Sequence, residues 1–253
     1  MLDGARLIVT ATIVADKFDE WMPLMIESIN WTDKQVFVVD KPERKVLEVI
    51  EKASNPVILY QRYEHESKGA DGKQRNVYLR YLKENHNNDF CLVIDTDEVL
   101  SDNGIQIREI NIDAEDKNLV WNVKMHHFFW NLSLEDASQP EHYCPARLFR
   151  INQNLFYPEV EHPVLKSDEQ TIIGMINNPV LFHNGKTKDV MFQMKKYKVQ
   201  CIKSNIHNPE QLELWKTMHV YGVGMPLKQF SINQHPKPVK DFFEIKEVIN
   251  GED

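Results

Sequence analysis

In the segment Phe90-Cys91-Leu92-Val93-Ile94-Asp95-Thr96-Asp97-Glu98, five apolar residues precede three carboxylates within four positions. Such a short, β-branched apolar run predicts a strand that is buried on both faces. Because an unpaired carboxylate is costly to bury, the acids are expected just beyond the strand, in a crevice and not in the core. In an open parallel sheet, ligands bind at the carboxyl ends of the strands.

The three acids at this strand end indicate either a cation site or a solvated turn. Oxygen donors so close in sequence repel one another unless a cation or a polar ligand joins them. Oxygen ligands suit a hard divalent ion such as Mg²⁺ or Mn²⁺. The alternative from the same residues is a strand followed by an acidic turn in water, and both interpretations stay open at this level.

Length, charge and cysteine usage restrict the class of protein. The 253 residues suit one large domain or one domain with an elaborated end. A net charge of −8 argues against a nucleic-acid partner but leaves a phosphorylated small molecule open, since a metal ion can supply local positive charge. No apolar run is long enough to span a membrane.

The N-terminus and the cysteines together predict a cytoplasmic location. Residues 1–6 precede a β-like run and not a signal-peptide core. The three cysteines are an odd number without paired spacing, which argues against a disulfide framework. Cys91, inside the apolar run, is expected to be a small buried hydrophobic residue.

The first hundred residues alternate between strand-like and helix-like patterns. Strands are predicted at 7–14, 35–39, 56–60 and 90–94, and helices at 18–29, 43–53 and 74–84. Repeated βα units imply a mostly parallel sheet with helices on both faces. In the second half, strands are predicted at 119–130, 147–150 and 171–173, and helices at 190–202 and 211–220. The tail after His235 is expected to be a surface segment with one short helix.

Several short motifs, taken in order, carry a resemblance to a known family. They are Val38-Val39-Asp40, Lys73-Gln74-Arg75-Asn76, Leu92 to Leu100, Arg147-Leu148-Phe149-Arg150, Phe156 to His162, Leu181-Phe182-His183-Asn184-Gly185, and finally Lys195 and Tyr197. From Leu7 to about Tyr197 the chain resembles glycosyltransferases of the GT-A fold, specifically the large family 2.

The resemblance implies a fold class and a division of the chain. The class is α/β, a GT-A (Rossmann-like) mostly parallel sheet with helices on both faces, plus a mixed α+β C-terminal part. Residues 1–118 would form the half that binds a nucleotide sugar, and residues 119–205 the acceptor-side half of the same domain. Residues 206–253 would form a helical or irregular extension.

The resemblance also implies a reaction. A hexosyl-type group would move, with inversion, from a nucleoside-diphosphate sugar to an unknown acceptor, which could be a glycan, a lipid-linked precursor, a protein or a small molecule. The Asp-x-Asp motif would hold Mn²⁺ or Mg²⁺, with Asp97 as the direct ligand and Asp95 near the ribose or reaching the metal through water. His183 resembles the late histidine that completes the metal site. The metal would neutralise charge on the leaving nucleoside diphosphate.

The donor pocket implied by the family extends beyond the metal. Its residues would be Thr10, Ala11, Thr12, Asp40, Arg75, Asn76, Asp95 and Lys195. Asp40 resembles the acid that contacts the base or ribose, and Arg75 and Asn76 at a helix start would approach phosphate or sugar hydroxyls. Many relatives follow the first acid with a Gly/Ser/Thr/Asp-rich turn, whereas this chain has Lys41-Pro42-Glu43, so the nucleotide base cannot be inferred.

The general base is left open by one departure from the family. His162 matches a recurrent histidine, but the residue after it is Pro163, where relatives commonly have the Glu that is a candidate base. Glu161 is the preferred substitute, and Glu159 and Asp136 are further candidates. Glu98 is expected to orient neighbouring groups or to face the acceptor. His126 and His127 would face opposite sides of one strand and are interpreted as structural.

Three other functions share some of the same residues. A haloacid-dehalogenase-like phosphatase would use Asp95 as a nucleophile, but its motif normally opens the fold and needs a later acidic pair after a strand. A catalytically inactive GT-A-like protein that binds a nucleotide sugar is compatible with Pro163. A nucleotidyltransferase needs a Gly-rich loop after the first strand, and residues 10–16 contain no glycine.

Overall fold

A computed structural model describes most of the chain. It covers residues 6–62, 70–109, 119–129, 131–137, 145–160, 163–169, 171–186 and 226–242, together with residues 213, 217 and 224. The predicted helix at 190–202 lies outside the described residues. So does the one at 211–220, apart from Glu213 and Thr217, which are both helical.

The N-terminal half alternates strands and helices as the sequence predicts. Its elements are β1 (Ile8–Ile13), α1 (Met22–Ser28), β2 (Lys34–Val39), α2 (Arg44–Ile50), β3 (Pro56–Tyr60), α3 (Ala70–Asn85) and β4 (Phe90–Val93). The strands lie in the order β3-β2-β1-β4, and each neighbouring pair is parallel. The strand that precedes the acidic motif is therefore inside the sheet, with all four of its residues buried.

The C-terminal half extends the same sheet with a mixture of strand directions. Its strands are β5 (Glu98–Leu100), β6 (Leu119–Phe129), β7 (Asn131–Asp136), β8 (Ala146–Arg150), β9 (Leu155–Phe156), β10 (Lys166–Ser167), β11 (Ile172–Lys186) and β12 (Leu227–Gln229). Beyond β4 the order is β8-β6-β7-β12, with antiparallel pairs, while β9 and β10 form a separate two-stranded sheet. β11 runs parallel to β6 and antiparallel to β5.

Successive side chains of each strand point to opposite faces of the sheet, so both faces of the parallel half are apolar and helices pack on both. On one face α1 and α2 pack on the sheet, and on the other face α3 does. The first cluster includes Met22, Met25, Val46, Ile50, Phe37 and Leu92, and the second includes Tyr78, Leu79, Leu82, Val9, Ala11 and Cys91. The predicted α/β class is confirmed, as is the burial of Cys91. The domain boundaries at 118 and 205 stay predictions.

Three element boundaries differ from the sequence prediction for local reasons. α1 begins at Met22 and not near Phe18, because the Asp19 side chain accepts from the Trp21 N–H at 3.0 Å and Pro23 suits the first turn. α3 begins at Ala70, so Arg75 lies in its second turn and not at its start. β11 continues from Ile172 to Lys186, which places His183 in a strand.

The segment 226–242 packs on the far end of the sheet. β12 pairs with β7, and residues 237–242 are helical, as expected for the tail. Val239 packs with Trp21, Val99 and Phe182. His235 is buried, and its ring lies 4.6 Å from that of Phe128. Within the described ranges, no helix is long and apolar enough to cross a membrane.

The packing of α3 on the segment before residue 160 generates a stability prediction. An added Cβ on Gly72 would overlap the backbone of Pro158 and lie 3.0 Å from Glu159 Cα. Gly72→Ala improves helix propensity by about 1 kcal/mol. The backbone clash outweighs this gain, so we expect a net loss of about 1–3 kcal/mol in the free energy of unfolding. Urea denaturation measures it.

The control for this experiment lies on the same helix. Arg80 is exposed, so Arg80→Ala should change the free energy of unfolding by no more than about 0.5 kcal/mol. A Gly72→Ala variant that is as stable as the wild type, or more stable, would show that α3 does not rest on Pro158 as described.

Buried His235 generates a pH-dependence prediction. Its Nε2 donates to the Leu132 carbonyl at 2.8 Å, and burial lowers the pKa of His235 below its ordinary value. Below about pH 6.5 the unfolded chain therefore takes up a proton that the folded chain resists, and stability is lost as pH falls. Between about pH 7 and 5.5 the wild type should lose more unfolding free energy than His235→Gln, which keeps the donor but cannot titrate.

Chemical denaturation at a series of pH values gives the comparison. Between about pH 7.5 and 8.5 the difference between the two proteins should stay constant, because His235 is neutral in both states there. Equal slopes for the two proteins below about pH 6.5 would contradict the prediction.

Candidate functional site

The acidic motif forms a tight turn at the carboxyl end of β4. Ile94 continues the pairing with β1 by donating its N–H to the Ala11 carbonyl at 3.2 Å. The Glu98 N–H donates to the Asp95 carbonyl at 3.0 Å, and the Asp95 N–H donates to Glu98 Oε2 at 2.9 Å. These reciprocal bonds close the turn and fix the directions of the two acids.

Two arginines supply the positive charge that joins the acids. Arg147 Nη2 lies 2.8 Å from Asp95 Oδ2 and also donates to Glu98, while Arg75 Nη2 lies 3.1 Å from Asp95 Oδ1. Arg147 lies on β8, which pairs antiparallel with β4. The motif around Arg147 was recognised in the sequence, but this contact was missed. The usable signal was an arginine inside a short apolar strand, where burial requires a charged partner.

The pKa shifts of Asp95, Glu98 and Arg147 follow from burial and from unequal pairing, since Asp95 contacts two arginines and Glu98 contacts Arg147. Burial alone would raise the pKa of Asp95, but the Arg147 and Arg75 charges hold it well below its usual range. Burial, together with the Asp95 and Asp97 charges, raises the pKa of Glu98 above its ordinary value, and the Arg147 charge opposes this shift. Burial would lower the pKa of Arg147, but both carboxylates outweigh it and keep the guanidinium charged.

The structure brings Asp97 and His183 together. β5 and β11 pair so that His183 lies opposite Glu98, and the Asn184 N–H donates to the Asp97 carbonyl at 2.8 Å. Asp97 Oδ1 then lies 3.8 Å from His183 Nε2, with side-chain exposures of 13% and 21%. The resemblance implies Asp97 as the direct metal ligand and His183 as the histidine that completes the site, with Asp95 as the third residue of the predicted metal set.

A second histidine completes this arrangement. β6 and β11 pair so that His127 lies beside His183, and their Nδ1 atoms are 3.0 Å apart. His126 points to the opposite face, where its ring contacts Glu135 at 2.6 Å. The prediction that the two adjacent histidines face opposite sides is confirmed. The contact of His127 with His183 was missed, because it depends on strands far apart in sequence.

The donor set fits a divalent cation at Asp97 and His183. Their separation of 3.8 Å is within the roughly 4.2 Å that two metal–ligand bonds of about 2.1 Å can span. Asp95 contributes no direct ligand in this arrangement, because both of its oxygens lie on guanidinium groups. Among the described residues no group of three or more His, Cys, Asp or Glu forms a metal cage. Further ligands would therefore come from a bound phosphate and water.

The other predicted donor-pocket residues divide into three groups. Asp40 directly follows β2, and Thr12 lies near the carboxyl end of β1, so both lie at the same sheet edge as Asp95. Thr10, Ala11 and Thr12 are all buried within β1. The Asn76 amide is used structurally, since it donates to the Tyr157 carbonyl at 2.8 Å and accepts from its N–H at 3.0 Å.

The candidate bases are placed as follows. Glu98 is 1% exposed and bonded to Arg147, so it orients the turn and does not face an acceptor. Asp136 is buried at the end of β7, and because Phe128 pairs with Glu135 in antiparallel strands, Asp136 follows in register beside His127. Glu161, with the neighbouring His162, and Lys195 lie outside the described residues.

Comparison with known proteins gives distant likenesses to solved structures. No protein-family model matches the chain, and no curated protein matches it. Solved structures similar to it include HddC from Yersinia pseudotuberculosis, with a TM-score of 0.43 and 9% identity over 76% of this chain and 99% of the other. A putative glucose-1-phosphate thymidylyltransferase from Bacillus anthracis has a TM-score of 0.37 and 7% identity over 81% and 99%.

A third similar structure is the 4-diphosphocytidyl-2C-methyl-D-erythritol synthase of Anaerococcus prevotii, with a TM-score of 0.39 and 10% identity over 81% of this chain and 100% of the other. At these TM-scores and identities the likenesses support no statement about activity. The functional proposals therefore rest on the contacts within this chain.

The shared arginine generates a prediction about stability. Arg147→Met leaves Asp95 and Glu98 without their common partner, so we expect a loss of about 3 kcal/mol in the free energy of unfolding. Arg147→Lys should lose part of this, because the shorter lysine carries a more strongly hydrated ammonium that costs more to bury than a guanidinium. Thermal and urea unfolding at neutral pH measure both.

The matched control is Arg150→Met on the same strand. Arg150 makes a 3.3 Å contact with Asn88 at the surface, and its loss should cost less than about 1 kcal/mol. Equal losses for the two arginines would contradict the role assigned to Arg147.

Proposed function

We propose that this protein is a metal-dependent glycosyltransferase that takes a hexosyl-type group from a nucleoside-diphosphate sugar. The coarser part of the proposal is a transferase that binds a nucleotide at the carboxyl edge of β1, β2 and β4. The finer part is the identity of the group transferred, which is the sugar and not the nucleotidyl group.

The observation that carries the proposal is the meeting of Asp97 and His183 at that edge. The two residues come from separate parts of the chain, and the pairing of β5 with β11 brings their side chains to 3.8 Å. An oxygen and an imidazole nitrogen as the two protein ligands leave room for diphosphate oxygens. A bound Mn²⁺ or Mg²⁺ would stabilise the negative charge that grows on the leaving diphosphate.

The residues around this pair have distinct parts in the proposal. Arg147 and Glu98 hold the turn, so that Asp97 is presented at a fixed position. Arg75 lies 3.1 Å from Asp95, and its guanidinium offsets the carboxylate charge next to the proposed diphosphate. Asp40 follows β2 at the same edge of the sheet, and in the proposal it would contact the nucleoside. Fixed charges of this kind stabilise a transition state without reorganising.

Removal of the acceptor proton needs a base on the acceptor side, for which the candidates are Glu161, the exposed Glu159 and Asp136. Glu161 stays the preferred candidate, and Lys195 stays a proposed contact of the diphosphate. Asp136 is favoured by its register position beside His127, but at 2% exposure it is more buried than a base that must reach an acceptor hydroxyl.

Two alternatives lead to different products. The phosphatase is not favoured, because both oxygens of its proposed nucleophile, Asp95, are engaged by guanidinium groups. A nucleotidyltransferase would release pyrophosphate from a nucleoside triphosphate, whereas the proposed enzyme releases a nucleoside diphosphate. An assay for both products with the same protein distinguishes them.

The test begins with binding, since it needs no acceptor. Wild-type protein should gain about 5–10 °C in Tm with a matching nucleoside-diphosphate sugar and Mn²⁺ together, the increase expected when ligand exceeds its Kd about a hundredfold. In Asp97→Asn this joint stabilisation should be lost, because the anionic ligand oxygen is replaced by an amide. The folding stability without ligand should change little.

The matched control is Asp168→Asn. Asp168 is exposed near β10, so removing its charge should leave the stabilisation by nucleotide sugar and Mn²⁺ intact. If Asp97→Asn retains full metal-dependent stabilisation and transfer, Asp97 has no part in the site. If pyrophosphate is the product, the transferred group is a nucleotidyl group and the finer proposal is wrong.

A further inference from the structure

We infer that His127 is a positioning residue for the proposed metal site, holding His183 so that its Nε2 is the nitrogen presented to a cation. This inference rests on the proposed function, since it concerns the same metal. It assigns a role to a residue that the family resemblance does not identify.

The contact between the two rings is direct and specific. His127 Nδ1 and His183 Nδ1 are 3.0 Å apart, their ring centroids are 4.9 Å apart, and the ring planes meet at 71°. This is an edge-to-face arrangement in which the two Nδ1 atoms face each other. The opposite nitrogen of His183, Nε2, is the one that lies 3.8 Å from Asp97.

A bond between two like nitrogens restricts the protonation of both rings. One Nδ1 must donate and the other must accept. When His183 Nδ1 donates to His127, the Nε2 atom of His183 carries a lone pair toward Asp97. When the donor is His127, the neutral His183 carries its proton on Nε2 and cannot bind a cation there. His127 as the acceptor is therefore the state that suits a ligand.

The sheet holds this contact in place. His183 pairs with His127 on β6 and with Glu98 on β5, so all three residues are neighbours in register across three strands. His127 is 6% exposed, and burial restricts the rotation of its ring. A second residue that fixes the tautomer and ring orientation of a metal-binding histidine commonly contributes about 10- to 100-fold in metal affinity.

The experiment uses a pair of variants of nearly equal shape. Asn places an amide oxygen about where His Nδ1 stands, so His127→Asn keeps an acceptor, whereas His127→Leu removes it. We expect His127→Leu to weaken Mn²⁺ binding by about 10- to 100-fold and His127→Asn to stay within a few-fold of the wild type. Mn²⁺ binding is measured by electron paramagnetic resonance of free Mn²⁺, with and without a nucleoside diphosphate.

A second readout replaces Mn²⁺ with diamagnetic Mg²⁺, because without a cation the Asp97 carboxylate, 3.8 Å from His183 Nε2, favours a proton on that nitrogen. Long-range proton–nitrogen NMR of histidine-labelled protein reports which ring nitrogen of His183 carries the proton. We expect the Nδ1–H form in the wild type and in His127→Asn, and a shift toward the Nε2–H form in His127→Leu. His126→Gln is the control on the same strand, because His126 contacts Glu135 on the opposite face and should leave both readouts unchanged.

The possible results separate the two proposals. If the wild type binds Mn²⁺ and His127→Leu binds it equally well, the positioning role is wrong and the metal site stands. If His127→Asn is as weak as a folded His127→Leu, His127 acts through ring packing and the inference also fails. If the wild type does not bind Mn²⁺ under any of these conditions, the metal part of the proposed function is wrong, and the role of His127 at that site is wrong with it. If His127→Leu does not fold, the His183 tautomer in the other two proteins decides. The Nδ1–H form in both the wild type and His127→Asn supports the inference, and the Nε2–H form in the wild type contradicts it.

Discussion

The pairing of Arg147 with Asp95 and Glu98 is the interaction on which the candidate site depends. A carboxylate at 1% exposure next to a second carboxylate is tolerated only where a cation joins them. The guanidinium does so from a neighbouring strand, and Glu98 in turn closes the backbone of the turn through the Asp95 N–H. Asp97, between the two bonded acids in sequence, is thereby presented by a turn that is fixed at both ends.

The register of the neighbouring strands places two histidines beside this turn. The pairing of β11 with β5 and β6 places Glu98, His183 and His127 in one row on neighbouring strands. The alternate row, with Val99, Phe182 and His126, faces the cluster of apolar residues around Phe128. A slip of one residue in any of the three strands would exchange the two faces, and the polar row would lose its partners.

Much of the fold follows from local pattern. β1, β2 and β3 lie within a residue or two of their predicted bounds, because apolar runs between polar segments are strong signals. The boundary of α3 was less predictable, since the polar residues before Gln74 are typical of a loop, although their helix is stabilised by packing of Gly72 against Pro158. The extent of β11 was also missed, because Asn184 and Gly185 are typical turn residues, whereas pairing on both sides of the strand keeps this segment extended.

The α/β class, the strand that ends at the acidic motif and the interest in Asp97 and His183 could all be inferred before the structure was known. The class and the strand come from periodicity, a property of neighbouring residues, whereas the interest in Asp97 and His183 comes from the family resemblance that the ordered motifs carry. The contacts of Arg75 and Arg147 with Asp95, of Asn76 with the Tyr157 backbone and of His127 with His183 could not be inferred from local pattern. These contacts join distant strands and helices, and their register is set by the packing of the whole sheet.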